Sequence, residues 1–177
     1  MSSVSVGYEN VNLFHRLRNT AFRDWLTRLP NRNEFINMLD RPYQIESKGG
    51  VNVALIDINH FSDVNDGVVP DVGNMVLSAV STRLQEAFGG EVKKGRIGAD
   101  VFGLIGDQDI VNQDKINEVF QLAFIAGDHT LPLNVTIGLT RITGARHRGH
   151  TALKQSNIDI KPDKKNIHDQ QQTFPTE

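Results

Sequence analysis

The sequence predicts an α+β fold in which one sheet carries helices packed against it. Three observations lead there. After residue 20, hydrophobic periodicity runs in the order α-α-β-α-β-β-α-β-α. Val51 to Asp57 is nearly continuous apolar sequence, the pattern of a central strand covered on both faces. Within 131–142, Leu133, Val135, Ile137 and Leu139 alternate strictly, the period of a half-buried strand.

Residues 9–26 place Val11, Phe14, Leu17, Phe22, Trp25 and Leu26 at mostly helical spacing, which predicts a first helix. Leu29-Pro30-Asn31 forces a turn, because Pro30 lacks a donor and disfavours helix at the residue before it. A short helix follows with Phe35, Met38 and Leu39 on one face, then a loop from Arg41-Pro42 to Gly49-Gly50. After the 51–57 strand, a polar loop is expected over 59–69. A helix starts near Pro70, with Val72, Val76, Val80, Leu84 and Phe88 as its apolar stripe, and Gly89-Gly90 stops it. Two short strands, 91–97 and 101–106, join through Gly98-Ala99-Asp100 as a β-hairpin. A helix is expected over 113–126 and a last one from near His150, interrupted at Pro162. The Gln-rich stretch 169–177 has no core-forming residues and reads as a disordered tail or linker.

Composition narrows the function. The chain of 177 residues carries 19 Lys and Arg against 21 Asp and Glu, a net charge of −2, so no single-sign field favours nucleic acid or a membrane surface. Cysteine is absent, which removes disulfides and thiolate metal sites and fits a cytoplasmic location. No apolar run reaches the roughly 20 residues of a membrane helix, and the N-terminus lacks the order of a signal peptide.

Three polar segments carry the chemistry. A buried strand ends in Asp57-Ile58-Asn59-His60-Phe61; a polar loop holds Asn65-Asp66 and leads to Gly73-Asn74; a hairpin tip reads Arg96-Ile97-Gly98-Ala99-Asp100-Val101-Phe102. If strand and hairpin are neighbours, Asp57 and Asp100 meet at one edge. Two carboxylates there suit a hard cation such as Mg²⁺ that also takes phosphate oxygens. The alternative is that Asp57 only ends a strand and Asp100 only serves a turn. Arg146-His147-Arg148-Gly149-His150 contains an H-x-x-H but has no further ligand cluster, so it reads as a solvated basic segment.

These segments resemble the GGDEF domain of the diguanylate cyclase family. Asp24 to Arg32 resembles its D-x-L-T-x-L-P-N-R opening, and Leu55 to Phe61 its I-D-x-D-x-F strand. Asn65-Asp66 matches N-D, and Gly73-Asn74 sits where the family has G-D. Gly98 to Phe102 stands at the signature, and Thr136-Ile137-Gly138 resembles the late S-I-G strand. The resemblance implies a mostly antiparallel sheet of the βαββαβ, ferredoxin-like type seen in nucleotidyl cyclases and polymerase palms. It implies a domain at 21–168, a helical linker at 1–20 and a tail at 169–177. It further implies that paired, GTP-loaded domains make cyclic di-GMP with Mg²⁺ held by carboxylates, here Asp57 and Asp100. Asn65, Asn74, Gly98, Ala99 and Lys164 fall at nucleotide-binding positions.

The departures from the family pattern fall on the chemistry. Val101 replaces the signature Glu and can neither bind metal nor take a proton. Strand alternation puts Val101 on one face with Gly103 and Ile105. Ala99 replaces the second Gly and resists positive φ, unless the hairpin adapts. Asn74 replaces the Asp that reads guanine, so one pairing becomes donor against donor; alternatively it only solvates a helix. Ser62 stands where a Lys is usual, His168 where an Arg is expected, and Ser156-Asn157 replaces A-D. The product-inhibition motif R-x-x-D is replaced at its two ends by Gly89 and Val92. The expected function is therefore a catalytically degenerate, regulatory or GTP-sensing domain with weak Mg²⁺ binding. The alternatives are an active cyclase and a pure interaction module. A fused or partner sensor or EAL domain and a homodimer through the N-terminal helix are the expected partners.

Overall fold

The computed structural model describes residues 2–40, 49–65 and 71–142. The expected loop at 41–48, Asp66, Pro70, the basic segment 146–150, the helix from His150, Ser156-Asn157, Pro162, Lys164, His168 and the tail all lie outside the described residues.

Helix α1 spans Ser2–Phe22 and α2 spans Arg32–Asp40. Strand β1 (Val51–Ile58) is followed by α3 (Phe61–Asn65) and α4 (Val72–Ala87). The hairpin β2 (Lys93–Arg96) and β3 (Val101–Asp107) comes next, then α5 (Gln113–Gln121). Short strands β4 (Phe124–Ala126) and β5 (His129–Leu131) precede β6 (Val135–Ile142). The main sheet has the order β2-β3-β1-β6, and every pairing in it is antiparallel.

Strand β1 lies inside the sheet and is covered on both faces, as its apolar run predicts. Ala54, Ile56 and Ile58 join Phe102 and Leu104 in the larger core, against Val76, Val80 and Leu84 of α4 and Ile116 and Phe120 of α5. Val53, Leu55 and Ile105 face the other way and pack with Phe35 and Leu39 of α2 in a smaller core. The Phe35 ring lies directly on the sheet because Gly95 and Gly103, partners in the β2–β3 ladder, have no side chains. A Cβ on Gly103 would meet Phe35 Cζ at 2.6 Å, and one on Gly95 would meet Phe35 Cδ2 at 2.8 Å.

Four expectations are corrected. The first helix was expected over 9–26 but ends at Phe22. Asp24 ends it by turning its carboxylate inward to Thr27, accepting from the backbone N–H at 2.8 Å and from Oγ1 at 2.7 Å. Trp25 and Leu26 therefore sit in a turn. The polar loop expected over 59–69 contains α3. The helix expected over 113–126 stops at Gln121, where Arg83 of α4 donates to the carbonyls of Val119 (3.1 Å), Leu122 (2.5 Å) and Ala123 (2.8 Å). Its guanidinium also stacks 3.5 Å over the Phe124 ring. The strand expected over 131–142 is split: Leu131 ends β5, and Leu133 is buried before β6 begins. Gly127, at φ 62°, turns β4 into β5.

Candidate functional site

The sheet register brings the C-terminal end of β1 to the hairpin tip. Asp57 pairs with Val101 on one side and Thr136 on the other. One residue on, the Ile58 N–H donates to the Asp100 carbonyl at 3.0 Å. Asp57 and Asp100 thus occupy successive register positions at one edge, Asp57 opposite Val101 and Asp100 beside Ile58, both half-buried. Directly opposed residues of an antiparallel pair share a face. That is the α2 face, and Val101 packs against the smaller core there, beside Ile105.

Beyond β1 the chain is held in an uncommon conformation. Asn59 N–H donates to the Asn134 carbonyl at 2.8 Å, and Thr136 Oγ1 donates to Asn59 Oδ1 at 2.8 Å. His60 then adopts φ 56°, left-handed backbone for a non-glycine residue, with Nδ1 3.7 Å from Asp63 Oδ2 of α3. Asn65 ends α3, and Ser62 is exposed on it. Asp71, at φ 72°, stands at the N-cap of α4, Gly73 is buried and Asn74 is half-buried in its first turn.

The hairpin tip is built without positive φ: among the described residues neither Gly98 nor Ala99 has it, so the Ala99 methyl is accommodated. The N–H groups of Ile97 and Gly98 both donate to the Val101 carbonyl, at 2.8 and 3.2 Å. Arg96 braces the tip. Its Nη2 donates to the Ala99 carbonyl at 3.0 Å, and its Nη1 donates to Asp24 Oδ1 and Oδ2 at 3.0 and 3.1 Å. Both side chains are largely buried, 12% and 13% exposed. Burial pushes the Asp24 carboxyl up, but the bonds from Thr27 and Arg96 and the Arg96 charge outweigh it and hold the group below its usual range. The sequence contains both residues in its motifs, but nothing in it announces that they pair across 72 positions.

Fit to a divalent cation rests on Asp57 and Asp100. Among the described residues, no three His, Cys, Asp or Glu side chains gather where they could hold a metal ion. Two carboxylates suit Mg²⁺ only when phosphate oxygens and water complete its shell. At the positions of the product-inhibition motif, Val92 is 3% exposed in the larger core, and a Cβ on Gly89 would meet nothing within 4 Å. Neither end offers a charge.

An antiparallel sheet in the order β2-β3-β1-β6, with carboxylates where β1 meets a hairpin, defines a nucleotidyl cyclase or polymerase-palm type of fold. Residues 21–170 match the family model described as diguanylate cyclase, GGDEF domain, and the chain belongs to that family. It is 31% identical over 142 residues to the signaling protein YkoW of Bacillus subtilis, covering 75% of this chain and 17% of that protein. It is 31% identical over 137 residues to the probable diguanylate cyclase DgcT of Escherichia coli, covering 72% of this chain and 30% of that protein. The chain therefore spans less than a third of the length of these two relatives. Among solved structures, the coiled coil and GGDEF domain of DgcB from Caulobacter crescentus, in complex with c-di-GMP, superposes with a TM-score of 0.73 at 20% identity, covering 93% of this chain and 92% of that one. The FimX GGDEF domain from Pseudomonas aeruginosa gives 0.64 at 16% identity, covering 77% and 89%. These likenesses show the fold.

Proposed function

We propose that this chain is a GGDEF domain that no longer cyclises GTP and serves as a regulatory, GTP-sensing module in cyclic di-GMP signalling. The observation that carries this is the pairing of Asp57 with Val101. Where the family pattern has a Glu beside the strand-end Asp, this chain has a partly buried isopropyl group packed against the smaller core. The transition state of phosphoryl transfer needs charge placed against its oxygens, and one such group is missing.

In this reading residues 21–168 are the domain, 1–20 a helical linker and 169–177 a tail. Asp57 and Asp100 hold a weakly bound Mg²⁺ together with phosphate oxygens. Such an ion neutralises and orients the phosphates when it is bound. Asn65 and Asn74 face guanine, the backbone at Gly98 and Ala99 lies beneath the phosphates, and Lys164 contacts them. The experiment is calorimetric titration with GTP and Mg²⁺, paired with assay for cyclic di-GMP. Saturable heat near one GTP per chain without product supports the proposal. Product from the wild-type chain overturns it in favour of an active cyclase.

A second reading, a module for protein contact, is favoured by α1. Val11, Leu13, Phe14 and Leu17 are 55–63% exposed along it. An apolar stripe of this kind is covered when two copies pair, or when a sensor or EAL domain docks. Heat that stays flat up to millimolar GTP supports this reading.

A further inference from the structure

Exposed apolar surface and positive charge are segregated to the same part of the chain. Among the described residues, five of the eight large exposed apolar side chains lie within 11–25: Val11, Leu13, Phe14 and Leu17 of α1 and Trp25 of the turn after it. Neither core includes any of the five. The net charge of −2 conceals the second half of the pattern. Residues 10–33 carry five arginines against one acid, Asp24. That acid is paired with Arg96 at 3.0 Å, so it does not offset them. Arg16, Arg23 and Arg28 are exposed and, among the described residues, form no ion pair. We propose that α1 and the turn after it dock on an anionic phospholipid bilayer, with the helix lying along its surface.

The chemistry of the face selects that occupant. Leu13 and Leu17 are four residues apart, and Val11 and Phe14, like Phe14 and Leu17, are three apart, so they form one strip along the helix. Arg16 follows Leu13 by three residues at the side of the strip, where its stem can lie along apolar surface while its charge stays among headgroups. Trp25 is 70% exposed, in a turn held by the two bonds from Thr27 to the Asp24 carboxylate. An indole presented beside arginines suits the headgroup level of a membrane. Such a face needs a partner that is anionic at its surface and apolar just beneath, as headgroups over acyl chains are. A second copy fits less well, because pairing the strips brings two sets of arginines together with no free acid between them. Nucleic acid supplies the charge but no hydrocarbon for Val11, Leu13 and Leu17. No helix among the described residues is long and apolar enough to cross a membrane, so α1 lies on the bilayer and does not span it.

The experiment uses the full chain with vesicles of phosphatidylglycerol mixed with phosphatidylcholine, against vesicles of phosphatidylcholine alone. Binding is read by co-sedimentation and by the emission of Trp25, the single tryptophan. The expected result is saturable binding to the anionic vesicles with a blue shift. Binding to the neutral vesicles is at least about tenfold weaker, since each arginine near an anionic surface is worth about fivefold. Raising NaCl to about 1 M, where the screening length is about 3 Å, weakens it as well. Arg16→Glu with Arg28→Glu weakens it at least about tenfold, and so does Phe14→Ser with Leu17→Ser. All four side chains are exposed and outside both cores, so neither pair of changes touches the packing of the domain. Absence of binding to the anionic vesicles overturns the proposal. So does equal binding to both vesicles, binding that survives either pair of changes, or binding that leaves the Trp25 emission unmoved. A chain that ignores vesicles, is dimeric in solution and becomes monomeric with Phe14→Ser and Leu17→Ser assigns the strip to a second copy instead. The outcome is separate from that of the GTP titration, since it needs no residue of the cleft at Asp57.

Discussion

Asp57 of β1 and Val101 of β3 are direct partners in the ladder, and the other neighbour of Asp57 is Thr136 of β6. The strand-end carboxylate therefore sits between an isopropyl group and a hydroxyl on one face of the sheet. Val101 is partly buried and packs against the smaller core, the cluster that holds Phe35 and Ile105. A carboxylate introduced at position 101 would have to displace that packing.

Restoring the family pattern with Val101→Glu, Ala99→Gly and Asn74→Asp together should bring cyclic di-GMP production up from background by at least about 100-fold, since one transition-state contact is worth roughly 10²–10³. Product measured by chromatography after incubation with GTP and Mg²⁺ decides it. An inactive but folded triple variant would show that the loss lies elsewhere, with Ser62 as the next position to restore.

Asn74→Asp alone should tighten GTP binding about 5- to 150-fold, the effect of relieving one donor–donor clash worth about 1–3 kcal/mol. Asn74 is half-buried in the first turn of α4, where an added carboxylate also suits the helix end. Unchanged affinity by calorimetry would mean that Asn74 does not face the base.

Breaking the Arg96–Asp24 pair should be costly, because each partner left alone is a buried charge. Asp24→Ala or Arg96→Ala should lose about 3 kcal/mol in denaturant unfolding. Arg96→Lys should rescue little, since a single ammonium cannot hold both the Asp24 carboxylate and the Ala99 carbonyl. The sign with pH follows from the lowered Asp24 pKa. Its contribution is complete above the ordinary carboxylate value of 3.8 and is lost as pH falls through the lower folded value. Wild type should therefore lose stability in strong acid more steeply than Asp24→Asn does.

Gly103→Ala should destabilise the domain by about 1–3 kcal/mol, as overpacking does. The added methyl meets the Phe35 ring at 2.6 Å, and the ring rests on the backbone with nowhere lower to go. Adding Phe35→Leu should recover part of the loss. A lack of coupling between the two changes in a double-mutant cycle would show that the ring does not rest there.

Deleting residues 1–18 should convert a dimer to a monomer, read as mass in solution, if the stripe of Val11, Leu13, Phe14 and Leu17 is a self-association surface. An unchanged mass would assign any pairing to the domain itself.

Much of the architecture was legible from residue order. The run Val51 to Asp57 announced a strand covered on both faces, and Gly98-Ala99-Asp100 announced the hairpin, because both signals are local. The boundaries that shifted were decided by distant partners. The end of α5 was misplaced because Arg83, 36 to 40 positions away, takes the carbonyls that would have continued the helix. The β4–β5 hairpin did leave a local signal, Gly127-Asp128, which the helical spacing of Ala123 and Phe124 outweighed. The end of α1 was also partly visible, since Asp24 and Thr27 stand at the spacing of a side-chain-capped turn.

By itself the sequence determined the family and the departures from its pattern, since motif residues and their intervals lie on the chain in order. It also determined which side chains can donate, accept or neither, and so that Val101 brings no ligand. Only the tertiary structure decided which groups meet. The ladder register set Val101 against Asp57, the fold joined Arg96 to Asp24, and two glycines from different strands made room for Phe35. The reason is physical: composition and periodicity act within a few residues, while pairing across a sheet depends on a register that the whole packed core selects.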